Sequence, residues 1–207
     1  SAADGMDDPD WRDENIVTFQ SRINFLEELI SKLSSAKRTK VLNIDKFLRS
    51  RIQKHIKKAV ASYEELKFRN ATQVTFFDAI NDLKWYVERS GGIENCNQKI
   101  LKESLKEVVR LLAPLVPHVA EEFWKGLGEK EFVATARMPS PKKGEIDNEA
   151  ELAESYLQTI LEDVKHVEKI LKRKANKIHI IVAAKQKFES FVKKKGKKEK
   201  FLRREYQ

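Results

Sequence analysis

Cysteine is almost missing from this sequence. Cys96 stands alone among 207 residues, so no internal disulfide can form and no thiolate cluster can hold zinc. A small buried packing group is the preferred reading of that thiol over a free surface one. Glycine and proline are scarce too, at seven and five copies, while 41% of residues are hydrophobic and 35% charged. Such a balance argues against fibrous and disordered classes and for a globular chain rich in long helices. No apolar run approaches the roughly 18 residues of a membrane-spanning helix. Ser1 to Met6 has neither the basic segment nor the apolar run of a signal peptide. The expected compartment is the cytoplasm, with no membrane partner.

Catalytic apparatus is lacking as well. The four histidines, His55, His118, His166 and His179, are dispersed, and neither a His-Glu-x-x-His nor a cysteine-rich metal pattern occurs. There is no Gly-x-x-x-x-Gly-Lys-Ser/Thr phosphate loop, no Gly-x-Gly-x-x-Gly after a strand and no Gly-x-Ser-x-Gly elbow. His118 could act as an acid or base, but it falls in a Leu- and Val-rich helix, where packing is its expected role. The chain alone is expected to catalyse nothing and to bind neither cofactor nor metal.

What is present is helical periodicity. After an irregular acidic lead-in over residues 1–11, Ile16, Phe19, Ile23, Leu26 and Ile30 recur at three- and four-residue steps from Trp11 onward. A polar run from Ser34 to Thr39 turns the chain back. Asn43 or Asp45 can cap a second helix whose inner stripe is Leu48, Ile52, Ile56, Ala59, Tyr63 and Leu66. A third helix is predicted from Asn70 to about Glu88 and, with Val74, Phe77, Ala79, Ile80, Leu83 and Trp85 to Val87, is expected to sit centrally. Gly91 and Gly92 end it. The fourth starts near Asn95 to Lys99 and carries an apolar face from Leu101 to Trp124. Pro114 and Pro117 within it demand a kink or a break into two helices. Residues 129–147 read as a linker. A fifth helix then runs from Glu149 or Ala150 to about Lys172 on Leu152, Tyr156, Ile160, Val164, Val167 and Leu171. Ile178 to Ala183 reads as a short strand without partners, the start of a further domain, and Lys185 to Lys195 as a short amphipathic helix.

Positive charge is unevenly spread. Residues 165–205 hold sixteen Lys or Arg and four Glu, a balance of +12, which leaves −3 for the rest of a chain with formal charge +9. A polyanionic partner and a merely solvated basic end both fit that pattern. A second cationic feature lies on the second helix, where Arg49, Arg51, Lys54, His55, Lys57 and Lys58 supply much of the more exposed circumference over roughly 14 Å. Phosphate contact is the sharper reading of these side chains, and a solvated helix the blander one. Tyr63, Trp85, Tyr86 and Trp124 could stack on unpaired bases, but their apolar settings favour a core role for Trp85 and Trp124.

The stretch Leu111-Leu112-Ala113-Pro114-Leu115-Val116-Pro117-His118-Val119-Ala120-Glu121-Glu122-Phe123-Trp124-Lys125-Gly126-Leu127-Gly128 closely resembles a segment of the helical anticodon-binding domain of the leucyl, isoleucyl, valyl and methionyl class I aminoacyl-tRNA synthetases. Phe123 departs from the leucine frequent there. Asn81 to Arg89 looks like the middle of that bundle, and Asp45-Lys46-Phe47-Leu48 resembles the lead into its basic helix. Gly5 to Asn15 is similar to the junction after the active-site lysine loop in archaeal and eukaryotic-cytosolic leucyl enzymes. Lys177 to Val182 resembles the first strand of their C-terminal appendage.

The resemblance implies a mainly α fold, a class Ia synthetase anticodon-binding helix bundle followed by a small partial α/β element. It divides the chain into a junction from the catalytic domain (1–11), the bundle (12–128), a linker (129–147), a connecting helix (148–176) and the start of a basic C-terminal α/β domain (177–207). A complete enzyme of this kind would use ATP to ligate leucine to tRNA(Leu), while the bundle positions the tRNA body without reading anticodon bases. The tRNA-contacting candidates, read from the charge pattern of the chain itself, are Arg49, Arg51, Lys54, Lys57 and Lys58 on the basic helix and Lys193, Lys194, Lys195, Lys197 and Lys198 in the tail. Implied partners are tRNA(Leu) and the enzyme's own catalytic domain, in a monomer. The corresponding region of an isoleucyl, valyl or methionyl enzyme, or a structural or protein-docking helical module, is the alternative.

Overall fold

The computed structural model describes residues 13–180, and its contacts separate two units, Ser1–Ile160 and Leu161–Gln207. Expectations placed on residues 1–12 and 181–207, including the Lys193 to Lys198 cluster, the strand end at Ile181 to Ala183 and the short helix from Lys185, lie outside the described residues.

In the first unit, α1 (Asp13–Ser31) buries Leu26, Leu29 and Ile30, while Phe19 and Ile23 are half-buried and Ile16 is exposed. Its apolar stripe thus begins to work one turn later than the periodicity suggests. A short turn at Leu33–Ser35 follows, and the Lys37 and Arg38 N–H groups donate to the Glu94 and Cys96 carbonyls at 3.2 and 3.3 Å.

Helix α2 (Asn43–Glu64) takes the central place expected of the third helix, packing against both later long helices of the bundle. Neither Asn43 nor Asp45 is its N-cap. Leu42, in extended conformation, holds that position, and the Asp45 carboxylate one turn in accepts the Leu42 N–H at 2.6 Å. Leu48, Ile52, Ile56 and Ala59 are fully buried. The helix closes with Leu66 N–H donating to the Tyr63 carbonyl at 3.1 Å and Lys67 N–H to the Ser62 carbonyl at 2.8 Å. This paired closure puts Leu66 at φ 57° with its side chain 69% exposed, so Leu66 leaves the inner stripe.

Helical structure resumes two residues before the expected Asn70 cap. Helix α3 (Phe68–Thr72) passes through a π turn at Gln73–Asp78 into α4 (Ala79–Ser90). Thr72 and Thr75 turn their hydroxyls back to the Phe68 and Ala71 carbonyls, both at 2.8 Å. The extra residue of the π turn lets consecutive Phe76 and Phe77 both meet Phe19, with ring centroids 5.0 and 5.5 Å away. Arg22 lies 4.6 Å over the Phe77 ring. Gly91, at φ 77°, ends α4 in left-handed geometry.

Helix α5 (Gln98–Leu112) is capped by Asn97, whose side chain accepts the Ile100 N–H at 3.2 Å. The prolines break the fourth helix rather than kink it. Pro114 offers no donor, the chain leaves helical geometry, and α6 (Pro117–Gly126) starts with Pro117 in its first turn, where a missing N–H costs nothing. The Tyr63 hydroxyl donates to the Leu111 carbonyl at 2.7 Å, satisfying an acceptor at this frayed end. Ala120, Phe123 and Trp124 are buried, with α6 packed on α5 and α1. Gly126 permits the approach of α1: a Cβ there would sit 3.0 Å from Ile30 Cγ2. His118 is exposed on the first turn of α6, outside the apolar side, so the packing role expected of it is not met.

Residues 129–147 behave as a strap rather than a loose connection. The Lys142 N–H donates to Gln53 Oε1 at 2.8 Å, Gln53 Nε2 to Glu145 at 2.9 Å, and the Asp147 N–H to Ser50 Oγ at 2.9 Å. The strap leads into α7 (Asn148–Leu171), whose Ala150 and Glu154 are buried while Leu152 and Tyr156 of the expected inner stripe are 72% and 57% exposed. Polar partners on α2 and α4 outweigh the apolar periodicity here and rotate the other edge inward. Among the described residues no helix is long and apolar enough to cross a membrane.

The second unit contains the end of α7, after which Lys172 turns at φ 50° and the Ala175 N–H donates to Glu168 at 2.8 Å. Lys177 to Ile180 forms no strand. A strand there needs an edge to pair with, and the described residues supply none.

Candidate nucleic-acid interface

Five cations on α2 were expected to face solvent and phosphate. Geometry separates them into three groups. Arg49 donates to Glu103 of α5 at 3.2 Å, with the two side chains 33% and 50% exposed. An exposed pair of this kind is worth less than about 1 kcal/mol and exchanges readily for another anion. Arg51 donates through Nε to Asp82 of α4 at 2.7 Å, and Lys54 reaches Glu151 at 2.8 Å and Asn148 at 2.9 Å. Their acids are only 10% and 15% exposed, so these two cations tie α2 to α4 and α7. Lys57 and Lys58, one turn further on, are exposed and make no ion pair among the described residues. His55, grouped by sequence with the outer positions, is buried with Nε2 2.6 Å from Asp82 Oδ2.

The residues that carried the sequence resemblance prove to be clasps. Asp45 is fully buried and accepts four hydrogen bonds: two from Arg38 at 2.5 and 2.9 Å, one from the Tyr86 hydroxyl at 2.6 Å and one from the Leu42 N–H. Tyr86 in turn accepts the Asn97 N–H at 2.9 Å, so one carboxylate joins α2, α4 and the start of α5. Its bond to Arg38 raises that guanidinium above its ordinary value, while burial, reinforced by Asp45, drives the Tyr86 phenol upward. Asp82 gathers Arg51 and His55. Trp85 Nε1 and the Arg89 guanidinium both donate to the buried Glu154, at 3.1, 2.9 and 3.3 Å, fixing the first turns of α7. In α6, Glu121 accepts the Val133 and Ala134 N–H groups at 2.9 and 3.1 Å and anchors the strap.

Glu154 could not be singled out as a hub from sequence, since Arg89 and Trp85 lie 65 and 69 positions away, and although Leu42 and Arg38 are 3 and 7 positions from Asp45, the Tyr86 that makes it a link between helices is 41 away. Cys96 is buried as expected, and burial pushes its thiol up, away from the reactive thiolate. Trp124 is core, Trp85 is half-buried and Tyr86 fully buried, which removes Tyr86 from the stacking candidates. Among the described residues no group of three His, Cys, Asp or Glu could hold a metal ion.

A bundle centred on a basic helix and locked by these clasps can present a cationic face. The family model for the anticodon-binding domain of tRNA ligase matches residues 45–182. The chain belongs to that family. The match begins at Asp45, the hub residue itself, and takes in all of α7. Among curated relatives, the leucine–tRNA ligase of Pyrococcus furiosus is 32% identical over 83% of this chain and 18% of its own length. That of Methanosarcina barkeri is 34% identical over 88% of the chain and 19% of its own length. This chain therefore spans under a fifth of the relatives it matches. A solved ternary complex of LeuRS, tRNA and LeuAMS from Agrobacterium radiobacter K84 shares the fold, with TM-score 0.55 and 23% identity over 67% of this chain and 18% of that one.

Proposed function

We propose that this anticodon-binding domain positions tRNA(Leu) for a leucine–tRNA ligase, acting within a monomer whose remaining part uses ATP to ligate leucine to the tRNA. The observation that carries this reading is that the leucine–tRNA ligases of Pyrococcus furiosus and Methanosarcina barkeri align over 83% and 88% of this chain, which includes most of the stretch matching the anticodon-binding domain. The tRNA in the complex that shares the fold gives further support. On the chain itself, Lys57 and Lys58 supply open cations, Arg49 exchanges Glu103 for phosphate, and Lys193, Lys194, Lys195, Lys197 and Lys198 add a second cationic cluster. Arg51 and Lys54 serve mainly as struts.

The test measures tRNA(Leu) affinity of the full chain across a salt series, for wild type and for Lys57→Glu/Lys58→Glu. Two lost phosphate contacts should reduce the salt slope by about 1.8 and weaken binding at least about tenfold. An unchanged slope and affinity refute the assignment. Reversing Arg51 or Lys54 instead would confuse lost binding with lost folding.

A second reading, a protein-docking module, is favoured by the exposed Leu152 and Tyr156 and by the pairing of three of the five α2 cations with acids. Tight binding of the chain to a synthetase catalytic domain, with no measurable affinity for tRNA, is the outcome that selects it.

A further inference from the structure

The turn between α2 and α3 holds a residue that local energetics disfavours. Leu66 occupies the left-handed closing position of α2, where glycine is the usual residue because a Cβ strains that geometry. Replacing the leucine by glycine would relieve the strain. Its side chain also gains nothing from burial: it is 69% exposed, and it is among the most exposed large apolar side chains of the first unit. Leucine here therefore costs the fold twice, once in the backbone and once in apolar surface left to water.

The surroundings say what such a residue could meet. Phe68, 38% exposed, stands two positions on, held edge-on by Tyr63 with ring centroids 6.5 Å apart. Exposed Lys57 and Lys58 lie two turns back along α2, about 12 Å by helical rise. Lys67, paired with Glu65 at 2.6 Å, and exposed Arg69 flank the apolar tip. Between Lys57 and Asn70 the sequence carries four cations and two acids. An apolar point fixed by a hydrogen-bonded turn, with balanced charges beside it and the open cations Lys57 and Lys58 two turns behind it, suits a polyanion with exposed flat faces, which is an unpaired nucleotide in a folded RNA.

We propose that Leu66 and Phe68 form an apolar tip that packs against an unpaired base of the bound tRNA while Lys57 and Lys58 hold the adjoining phosphates. This deepens the tRNA-positioning reading above and rests on it. The tip is a contact of shape and stacking, and it carries no base-edge hydrogen bonds of its own, so it tolerates any base.

The full chain is titrated with a tRNA(Leu) transcript as wild type, Leu66→Gly, Leu66→Asn and Leu66→Met, with thermal midpoints measured in parallel. Leu66→Gly is expected to raise the midpoint by a few degrees and yet weaken tRNA binding about fivefold. Asn, which also tolerates left-handed geometry, should lose affinity likewise, and Met should retain it. Gly and Asn variants that bind as tightly as wild type overturn the proposal, because Leu66 then only closes the helix. Absence of binding by the wild-type chain itself is a different result: it removes the tRNA-positioning reading, and the tip proposal with it.

Discussion

Asp45→Asn is the change that should hurt the fold most for its size. The side chain keeps its shape, but the carboxylate that accepts from Arg38 twice, from Tyr86 and from the Leu42 N–H becomes an amide with one acceptor oxygen and an NH2 group. Wherever that NH2 points, it faces a donor. Breaking a fully buried ion pair by removing one partner costs about 3–5 kcal/mol. Arg38 retains 17% exposure and can recover some water, so a loss of about 2–4 kcal/mol is expected after that discount. For a chain of this size each kcal/mol moves the thermal midpoint by roughly 2–4 °C. Urea denaturation followed by circular dichroism should show a lower midpoint with unchanged slope. A double-mutant cycle with Tyr86→Phe should return a coupling of about 1 kcal/mol or more, because both changes touch one carboxylate. A loss below about 1 kcal/mol, with no coupling, would refute the view that Asp45 joins three helices.

Glu154→Gln should free the start of α7 from Trp85 and Arg89, seen as faster amide hydrogen exchange over residues 148–156 with α5 unchanged; equal protection in both proteins refutes the clasp. Burial raises the Tyr63 phenol from 10.0 to about 12. Since the folded value exceeds the unfolded one, the neutral form is favoured in the fold, and its stabilisation is complete below pH 10 and lost as pH rises towards 12. Tyr63→Phe should flatten that part of the alkaline stability profile while costing about 1 kcal/mol at neutral pH through the lost bond to the Leu111 carbonyl.

Much of the helix plan was legible in sequence because apolar spacing is local information. Five helical stretches, the glycine stop at Gly91 and the proline interruption before α6 all follow from residues within a turn or two of each other. The readings that failed depended on distant partners. Leu152 and Tyr156 have helical spacing suited to an inner face, yet α7 buries Ala150 and Glu154, because Ser50, Lys54, Trp85 and Arg89 offer bonds to that edge. Arg51 and Lys54 looked like solvent-facing cations for the same reason. Nothing within their own helix announces Asp82 or Glu151. The π turn was likewise hidden, since its visible benefit, two phenylalanines meeting Phe19, spans nearly sixty residues.

The strap has a consequence for how this chain is made. Ser50, Gln53 and Lys54 are joined to residues some 90 to 100 positions later. At roughly 5–20 residues per second of synthesis, the outer side of α2 waits on the order of 5–20 s for its cover after it leaves the ribosome. During that interval Lys54 stands open to any polyanion nearby, ribosomal RNA included, and the arrival of Glu151 withdraws it from that competition.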